Sequence, residues 1–368
     1  MRNLNLLVIS WGFNSRGREN APAAWLFLDL QTLDLQTLDL QRRRSMENIK
    51  EAPRNKEKGI DVDDSKTFKV DWLRSIPYLA IHVGCIAVIW VGISWIAVIC
   101  AVLLYLMRMF FITGFYHRYF SHRSFRTSRV FQFIGALGGC SALQRGPIWW
   151  AAHHRHHHNH SDSELDRHSP REKGFFYSHM GWFMTSEYYD IDEKYVADWM
   201  KVPELKFINN FYWLAGVLLA GGLLGAGALL QYAGYATSPA QLFVWGFLVS
   251  TVAVYHGTYT INSLAHVFGK RRFKTDDDSR NNLLLALLTL GEGWHNNHHH
   301  YSSSARQGFR WWEIDMTYCI LKTLSWFGIV WNLRPVPKHV MDEARSNKLV
   351  SLRSEQEESS KSDLETAA

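Results

Sequence analysis

The chain has 368 residues, of which 47% are hydrophobic and 14% aromatic, and it carries a formal net charge of +6. This length is enough for one large domain or two. The basic residues form no stripe that alternates with stacking aromatics, so we expect a membrane surface as partner and no nucleic acid. The four cysteines (Cys85, Cys100, Cys140 and Cys319) form no Cys-x-x-Cys pair, which argues against a zinc ribbon or a disulfide framework.

Both ends of the chain are predicted to be disordered. In the low-complexity, basic region 1–70, a Leu-Asp-Leu-Gln-Thr unit repeats with a five-residue period, which matches neither a helix nor a strand. One hypothesis is that the native protein starts at Met46 and lacks this repeat. The C-terminal tail 339–368 is polar and rich in Ser and Glu.

Four apolar segments predict an all-α membrane protein with four transmembrane helices in two hairpins. The stretch 76–111 contains one charge, Arg108, and as a helix it would be about 54 Å long, nearly twice a ~30 Å hydrocarbon core. It must therefore cross twice. Within a domain at 71–338, we place the spans at about 76–92, 94–113, 211–230 and 241–261. Lys and Arg flank the outer ends of both hairpins, which predicts that the segment 117–205 is cytoplasmic.

Two shorter apolar stretches affect this topology. Residues 130–143 are too few to span comfortably, so we predict an interfacial or re-entrant helix there. Residues 316–333 contain Lys322 and are predicted to be amphipathic. With four spans, all the histidine-rich segments face the cytoplasm and can form one helical cap.

The histidines recur at spacings that suit metal binding. His117 and His122 follow the second span; in an α-helix their side chains would point about 140° apart, which suits two metals or a helix that ends between them. The segment 150–160 contains six histidines. Three of them can share one helical face in either of two registers, His153/His156/His157 or His154/His157/His158.

A second cluster repeats this spacing once, at His295, His298 and His299, while Asn262 and His266 end the fourth span. Nine histidines from four places are too many for one metal and suit two metals with open positions. Few carboxylates accompany them, and the only match to a carboxylate di-iron motif, at Glu292, is interpreted as incidental. Such an all-imidazole pair indicates iron that activates O₂ to attack an unactivated C–H bond.

The chain resembles the membrane fatty-acid desaturase family, most closely its bacterial stearoyl-CoA (acyl-CoA delta-9) branch. The resemblance covers about residues 72–337 and rests on four motifs, at 114–122, 150–158, 262–266 and 291–299. The family pattern, read from Trp150, selects the second register. It implies iron ligands at His117, His122, His154, His157, His158, His266, His295, His298 and His299, with Asn262 acting through water. It also implies a bent substrate tunnel at Gln144, Trp150, Thr258 and Tyr259, where the family usually has Trp at the last position.

This resemblance implies O₂-dependent insertion of a cis double bond, at delta-9, into a long-chain saturated fatty acyl-CoA by two iron ions (Fe2+/Fe3+). The sequence has neither a Rossmann glycine fingerprint nor a haem-binding His-Pro-Gly-Gly motif, so no bound flavin, haem or NAD is expected. A separate electron donor is expected, such as cytochrome b5, ferredoxin or rubredoxin with its reductase. Arg306 and Arg310 are candidates for docking it. We expect an integral, multi-pass protein of a bacterial inner membrane, with its active site on the cytoplasmic side.

Three alternatives remain open from the sequence. The enzyme could be an acyl-lipid desaturase, or a di-iron alkyl hydroxylase of the same histidine-rich class. The third alternative is a metal-binding membrane protein that has no enzymatic activity.

Overall fold

The structure, a computed structural model, describes residues 69–346. It contains four helices that are long and apolar enough to cross a membrane, and the predicted all-α fold with four spans is confirmed. The four helices, called spans 1 to 4, are Trp72–Val91, Trp95–Ser121, Trp213–Tyr232 and Pro239–Val267. The disorder predicted for the N-terminal region falls almost wholly outside the described residues.

Three of the four spans change their helical type along their length. Span 1 comprises an α-helix, a 3₁₀ turn and a final α-helical turn at Trp72–Gly84, Cys85–Ala87 and Val88–Val91. Span 2 is α-helical over Trp95–Phe110 and π-helical over Phe111–Ser121. Span 4 comprises Pro239–Gln241, the π-helical Leu242–Val249, Ser250–Asn262 and Leu264–Val267.

The remaining elements are short and lie outside the spans. The α-helices among them are Arg129–Cys140, Pro147–His160, Pro170–Lys173, Pro203–Asn210, Leu283–Leu288, His295–His300 and Met316–Trp326. Single turns of π- or 3₁₀-helix occur at Tyr177–Gly181, Trp182–Met184, Ser186–Tyr188, Glu193–Tyr195 and Trp199–Lys201. The two strands of the described chain, Arg126–Thr127 and Val330–Trp331, pair antiparallel with Arg126 opposite Trp331.

Spans 1 and 2 form a hairpin that reverses at three residues. Gly92 has φ +66°, a left-handed conformation that glycine adopts without a steric penalty. Two residues later, the Ser94 side chain accepts a hydrogen bond from the backbone N–H of Ala97 and caps span 2. The chain therefore turns back within three residues.

Polar contacts join the spans where the surroundings are apolar. The fully buried Arg108 of span 2 donates to the hydroxyls of Ser250 and Thr251 in span 4, the latter at 2.7 Å. Three histidines that look isolated in the sequence also connect: His256 lies 3.2 Å from His82 of span 1 and 2.9 Å from His179. Such bonds between helices hold membrane bundles together because lipid offers no competing partner.

The helix Arg129–Cys140 is too short to cross a membrane, at about 18 Å. It presses a glycine-rich face against span 2: a Cβ atom at Gly135 would overlap the ring of Phe115, and one at Gly139 would overlap Tyr116. Val130 and other apolar residues lie on its exposed face. The glycines therefore permit a close approach that brings the end of span 2 beside the next helix.

One boundary differs from the sequence prediction. Residues 338–346, which belong largely to the tail predicted to be disordered, are helical. Val340 and Ala344 are buried against Phe273 and Phe309. A few apolar residues in a polar stretch suffice for docking, because the partner surface comes from distant parts of the chain. Residues 347–368 lie outside the described part.

The close approach predicts a difference between two glycine variants. Gly139→Ala should lower the melting temperature, since overpacking a close contact costs about 1–3 kcal/mol. Gly221→Ala, on span 3, should leave it unchanged or slightly raised, because a Cβ there meets no atom within 4 Å. Thermal unfolding of both variants in the same detergent, followed by fluorescence, tests this; equal melting temperatures would contradict the packing.

Candidate metal centre

The π-helical end of span 2 places its two histidines on one side. The N–H of His122 donates to the carbonyl of His117 over 3.2 Å, an i to i+5 bond that widens the helical turn. The two rings are consequently 4.8 Å apart, and both enter the same cluster. The α-helical geometry assumed from the sequence, with side chains about 140° apart, is wrong here.

The histidine-rich helix Pro147–His160 begins with proline, and a distant side chain caps it. The Asn209 amide oxygen accepts from the backbone N–H groups of Ile148 and Trp149 at 3.1 and 3.0 Å. Proline at the first position needs no hydrogen-bond acceptor, so this cap satisfies the next two donors. The N-terminus of the helix is thereby fixed next to Pro203–Asn210.

All nine histidines implied by the sequence pattern lie in two clusters. In each cluster the ligand atoms lie within 4.8 Å of one another. The first cluster consists of His117, His122, His154, His158 and His298. The second cluster consists of His157, His266, His295 and His299.

Two helices supply both clusters by the same rule. On the histidine-rich helix the i, i+4 pair His154 and His158 belongs to the first cluster, and His157 belongs to the second. On the helix His295–His300 the assignment is reversed. The i, i+4 pair His295 and His299 belongs to the second cluster, and His298 belongs to the first. The i, i+3, i+4 spacing therefore does not converge on one point, as the sequence suggested, but divides between two adjacent points.

The distances inside the clusters suit metal coordination. Two nitrogens bound at about 2.1 Å in adjacent positions of a metal lie roughly 3 Å apart. The Nε2 atoms of His122 and His154 are 2.8 Å apart, and His298 Nε2 lies 3.0 Å from His117 Nε2 and 2.9 Å from His158 Nε2. In the second cluster, the Nε2 atoms of His266 and His295 are 3.0 Å apart. The donor set therefore fits a transition metal in each cluster.

Four buried carboxylates orient four of these rings. Each accepts from an Nδ1–H, which leaves Nε2 with its lone pair directed toward the cluster. The pairs are His117–Glu292 at 2.5 Å, His157–Asp166 at 3.0 Å, His266–Asp162 at 2.7 Å and His299–Asp277 at 2.6 Å. Within the described residues, His299 Nε2 is buried and has no hydrogen-bond partner, as a ligand atom without its metal would be. The sequence reasoning missed the role of these acids. Its interpretation of the Glu292 spacing as an incidental match to a carboxylate di-iron motif agrees with the structure, in which Glu292 belongs to neither histidine cluster.

Burial and neighbouring charges favour the neutral form of several cluster histidines, which is the form that binds a metal. Burial lowers the pKa of His122, His154 and His298 well below the usual range, and their neighbouring histidines add repulsion. Burial also lowers the pKa of His299, to about 4, although Asp277 opposes it. These imidazoles are therefore neutral at physiological pH, as metal binding requires.

The partners of the buried carboxylates hold these acids ionised. Burial alone would raise the pKa of Asp277, but the hydrogen bond and charge of His299 and the hydrogen bonds from Ser279 together outweigh burial and hold that pKa well below its usual range. Asp162 and Asp166 are lowered in pKa for the same reason, by His266 and His157 respectively. At His157, burial lowers the pKa, and the adjacent Asp166 more than reverses that effect.

Glu292 connects the first cluster to a buried ion-pair network. Besides His117, it contacts Arg118 at 3.0 Å, and Arg118 also pairs with Asp315 at 2.9 Å. Gly291 has φ +126°, and a side chain there would collide with Asp315. The glycine of the 291–299 motif thus permits the turn that brings Glu292 behind the ligand.

The other histidines of the rich segment lie outside both clusters. His153 is 2.7 Å from Arg167 and packs on Trp149. His156 packs against His160, on the partly exposed side of the helix. The geometry thus favours the second of the two registers that periodicity left open.

A cavity of about 370 Å³ ends beside the first cluster. Its lining includes the four predicted tunnel residues, Gln144, Trp150, Thr258 and Tyr259. Gln144 donates to the Thr258 hydroxyl at 2.9 Å, and Trp150 stacks on His154 at 4.9 Å. A smaller cavity of about 40 Å³ shares four lining residues with it, Trp150, His154, Thr258 and Asn262, and reaches His157. Asn262 therefore lies between cavity and clusters; its role as a ligand through water stays a prediction.

A family model for fatty acid desaturases matches residues 93–326, well over half of the chain. The chain belongs to the fatty acid desaturase family. Membership implies an oxidoreductase of lipid metabolism, and the histidine clusters are compatible with its metal requirement.

Several curated desaturases are similar to this chain. The sn-1 stearoyl-lipid 9-desaturase of Anabaena variabilis is 36% identical over 58% of this chain and 75% of its own length. The acyl-CoA C20 delta5-desaturase of Anemone leveillei is 34% identical over 59% of this chain and 66% of its own. The chloroplastic palmitoyl-monogalactosyldiacylglycerol delta-7 desaturase of Arabidopsis thaliana is 35% identical over 57%, but the match spans only about half of that relative, 54%. The relatives of this chain therefore differ in both acyl carrier and bond position.

The carboxylate pairs predict how metal content depends on Asp277. Its Oδ1 accepts from the Ser279 backbone N–H at 3.0 Å, so an asparagine would keep its oxygen there and present its NH₂ group to His299. That arrangement moves the ring proton to Nε2, the ligand atom. We expect Asp277→Asn to weaken metal binding about 10- to 100-fold, measured as metal per chain by mass spectrometry.

The matched control is Asp278→Asn. The side chain of this neighbouring acid pairs with Arg171 and Arg271 and, among the described residues, contacts no histidine of either cluster. It should retain the metal content of the unmodified protein. Equal metal loss in both variants would show that charge in this loop, and not orientation of His299, matters.

Proposed function

We propose that this protein is an O₂-dependent desaturase that removes two hydrogens from adjacent carbons of a long saturated acyl chain and leaves a cis double bond. The observation that carries the proposal is the apolar cavity whose wall is continuous with the first histidine cluster at Trp150 and His154. Nine imidazoles in two clusters would hold two iron ions. Bound iron would supply the activation of O₂ and the removal of hydrogen from an unactivated carbon.

The chain's own residues position the substrate and exclude water. Trp149, Trp182 and Tyr255 form an aromatic lining in which a methylene chain loses little by leaving the bilayer. At the predicted bend, two polar groups of the lining, the Gln144 amide and the Thr258 hydroxyl, form a hydrogen bond with each other. Held in one bent path, a single C–C bond can lie next to the metal-binding wall, which is what regioselectivity requires.

The reaction balances with an external source of two electrons. Two electrons and two protons from outside, together with the two hydrogens of the substrate, reduce one O₂ to two waters. A separate protein such as cytochrome b5, ferredoxin or rubredoxin would supply those electrons. Arg306 and Arg310 gain no support as its docking residues, because their side chains bond internally, to the carbonyls of Arg310 and Ala344.

The finer assignments rest on the pattern of the relatives and the charges flanking the spans. Three of the similar desaturases are named for position 9 and three for position 5, so delta-9 rests on the resemblance to the stearoyl-CoA branch together with the first three. Both acyl-lipid and acyl-CoA substrates occur among the names. The flanking Lys and Arg support a cytoplasmic active site. The location in a bacterial inner membrane is the part of the proposal that follows from the family resemblance alone.

The activity is tested by expression in a host that lacks its own desaturase and carries a competent electron donor. Fatty-acid profiling with double-bond location should show a monounsaturated product, lighter than the saturated chain by two hydrogen atoms. His157→Ala should abolish it, whereas His156→Ala, one residue away and outside both clusters, should retain it.

Two outcomes would contradict the proposal. A product that is heavier by one oxygen atom would identify a hydroxylase of the same class. An unchanged fatty-acid profile in the presence of a working donor would favour a metal-binding protein without this activity.

A further inference from the structure

The cavity opens where spans 1 and 3 begin. Its exposed lining residues are Arg74 and Pro77, in the first turns of span 1, and Trp213, which is 50% exposed at the start of span 3. The deep lining, including Trp149 and Trp182, is buried. Because the ends of transmembrane helices lie at the membrane–water interface, the opening lies at head-group depth.

Exposed apolar residues flank this opening on both sides. Trp72 and Leu73 precede Arg74 with 66% and 78% of their surface exposed, and Phe211 precedes Trp213 with 45% exposed. Aromatic residues in this position are typical of the interfacial belt of membrane proteins. An acyl chain could therefore enter from the bilayer while its head group stays at the interface.

Two cations stand at this opening. The guanidinium groups of Arg74 and Arg145 both stack on the ring of Tyr189, at 4.2 and 3.7 Å from its centre. They can therefore be no farther apart than the sum of these distances. The carboxylate of Asp71 lies 3.6 Å from Arg74 and neutralises at most one of these two positive charges. Arg145 forms no ion pair with a carboxylate in the described part of the chain.

The backbone at Arg145 supports a specific role for its side chain. It has φ +67°, a left-handed conformation that residues with a Cβ rarely adopt. The Tyr116 hydroxyl donates to its carbonyl at 3.0 Å, which helps to hold this conformation. Strain of this kind tends to persist where a binding site needs it.

From these features we infer that the opening binds the phosphate of an anionic glycerophospholipid between Arg74 and Arg145 while one of its acyl chains enters the cavity. This rests on the proposed desaturase function and names the acyl carrier as a lipid. Guanidinium groups match phosphate oxygens in geometry, and an anion relieves the repulsion between two cations held on one ring. The alternative carrier, acyl-CoA, is also anionic, but it would approach from water and would not need the apolar flanks.

The test uses the metal-loaded full chain in nanodiscs with an electron donor and three labelled substrates. These are distearoyl-phosphatidylglycerol, distearoyl-monogalactosyldiacylglycerol, which has no phosphate, and stearoyl-CoA. The anionic phospholipid should be desaturated with the highest kcat/KM. Arg145→Gln and Arg74→Gln should each lower that value about tenfold through KM, with kcat and metal content unchanged, and Arg145→Lys should restore part of it.

Arg345→Gln, an exposed arginine that does not line the cavity, is the matched control and should behave like the unmodified chain. Native mass spectrometry of bound phosphatidylglycerol gives a readout that does not depend on activity. Turnover of stearoyl-CoA alone would overturn this inference and leave the desaturase function standing. Equal turnover of both lipids, or unaltered KM in both variants, would overturn the phosphate site. Failure with all three substrates would contradict the proposed function itself.

Discussion

The hydrogen bond from a histidine Nδ1 to a buried carboxylate is the interaction on which the metal centre depends. Without it, each imidazole could carry its proton on either nitrogen, and adjacent rings would bond to each other. Asp162, Asp166, Asp277 and Glu292 remove that choice for four rings. The Nε2 lone pairs of these four rings are then directed at the two clusters, so the carboxylates fix which nitrogen of each ring faces the metal position.

This arrangement explains why the polar cap tolerates so much burial. A buried carboxylate without a partner would be costly, and so would a charged imidazole. Here each acid is ionised beside a ring that can share a proton with it, and Arg118 compensates the extra charge of Glu292 and Asp315. The acids also join segments far apart in sequence: Asp162 contacts His266, and its other contacts include the backbone of Asp278. The contacts that set the ionisation states of the site are thus also contacts that hold the cap together.

The sequence allowed the spans to be predicted, because hydropathy is a local property. Helical spacing left two registers open in the segment 150–160, and the resemblance to the desaturase family selected the nine histidines. What it did not reveal depends on tertiary contacts. The π-helical turn between His117 and His122 replaces an expected α-helix, and the division of His154, His157 and His158 between two clusters appears only when a second helix faces them. The carboxylate partners could have been sought by requiring an acid for each buried ligand, but the choice among 34 Asp and Glu residues needs the fold. Helix 338–346 was missed because its docking surface is supplied by Phe273 and Phe309.

Four residues form the wall between the larger cavity and the histidine clusters. Trp150, His154, Thr258 and Asn262 face both the 370 Å³ cavity and the smaller one. Of these, His154 is held by stacking on Trp150, and Thr258 by its hydrogen bond with Gln144. In the proposed function, moving any of them would alter the substrate path and the metal site together. The opening at Arg74 is fixed by span 1, and the wall is fixed by span 4 and the histidine-rich helix, so the packing of these helices would set the distance between the lipid head group and the metal. The proposed desaturase would then select its carbon atoms by their distance from the head group along the cavity, and not by recognising the carbons themselves.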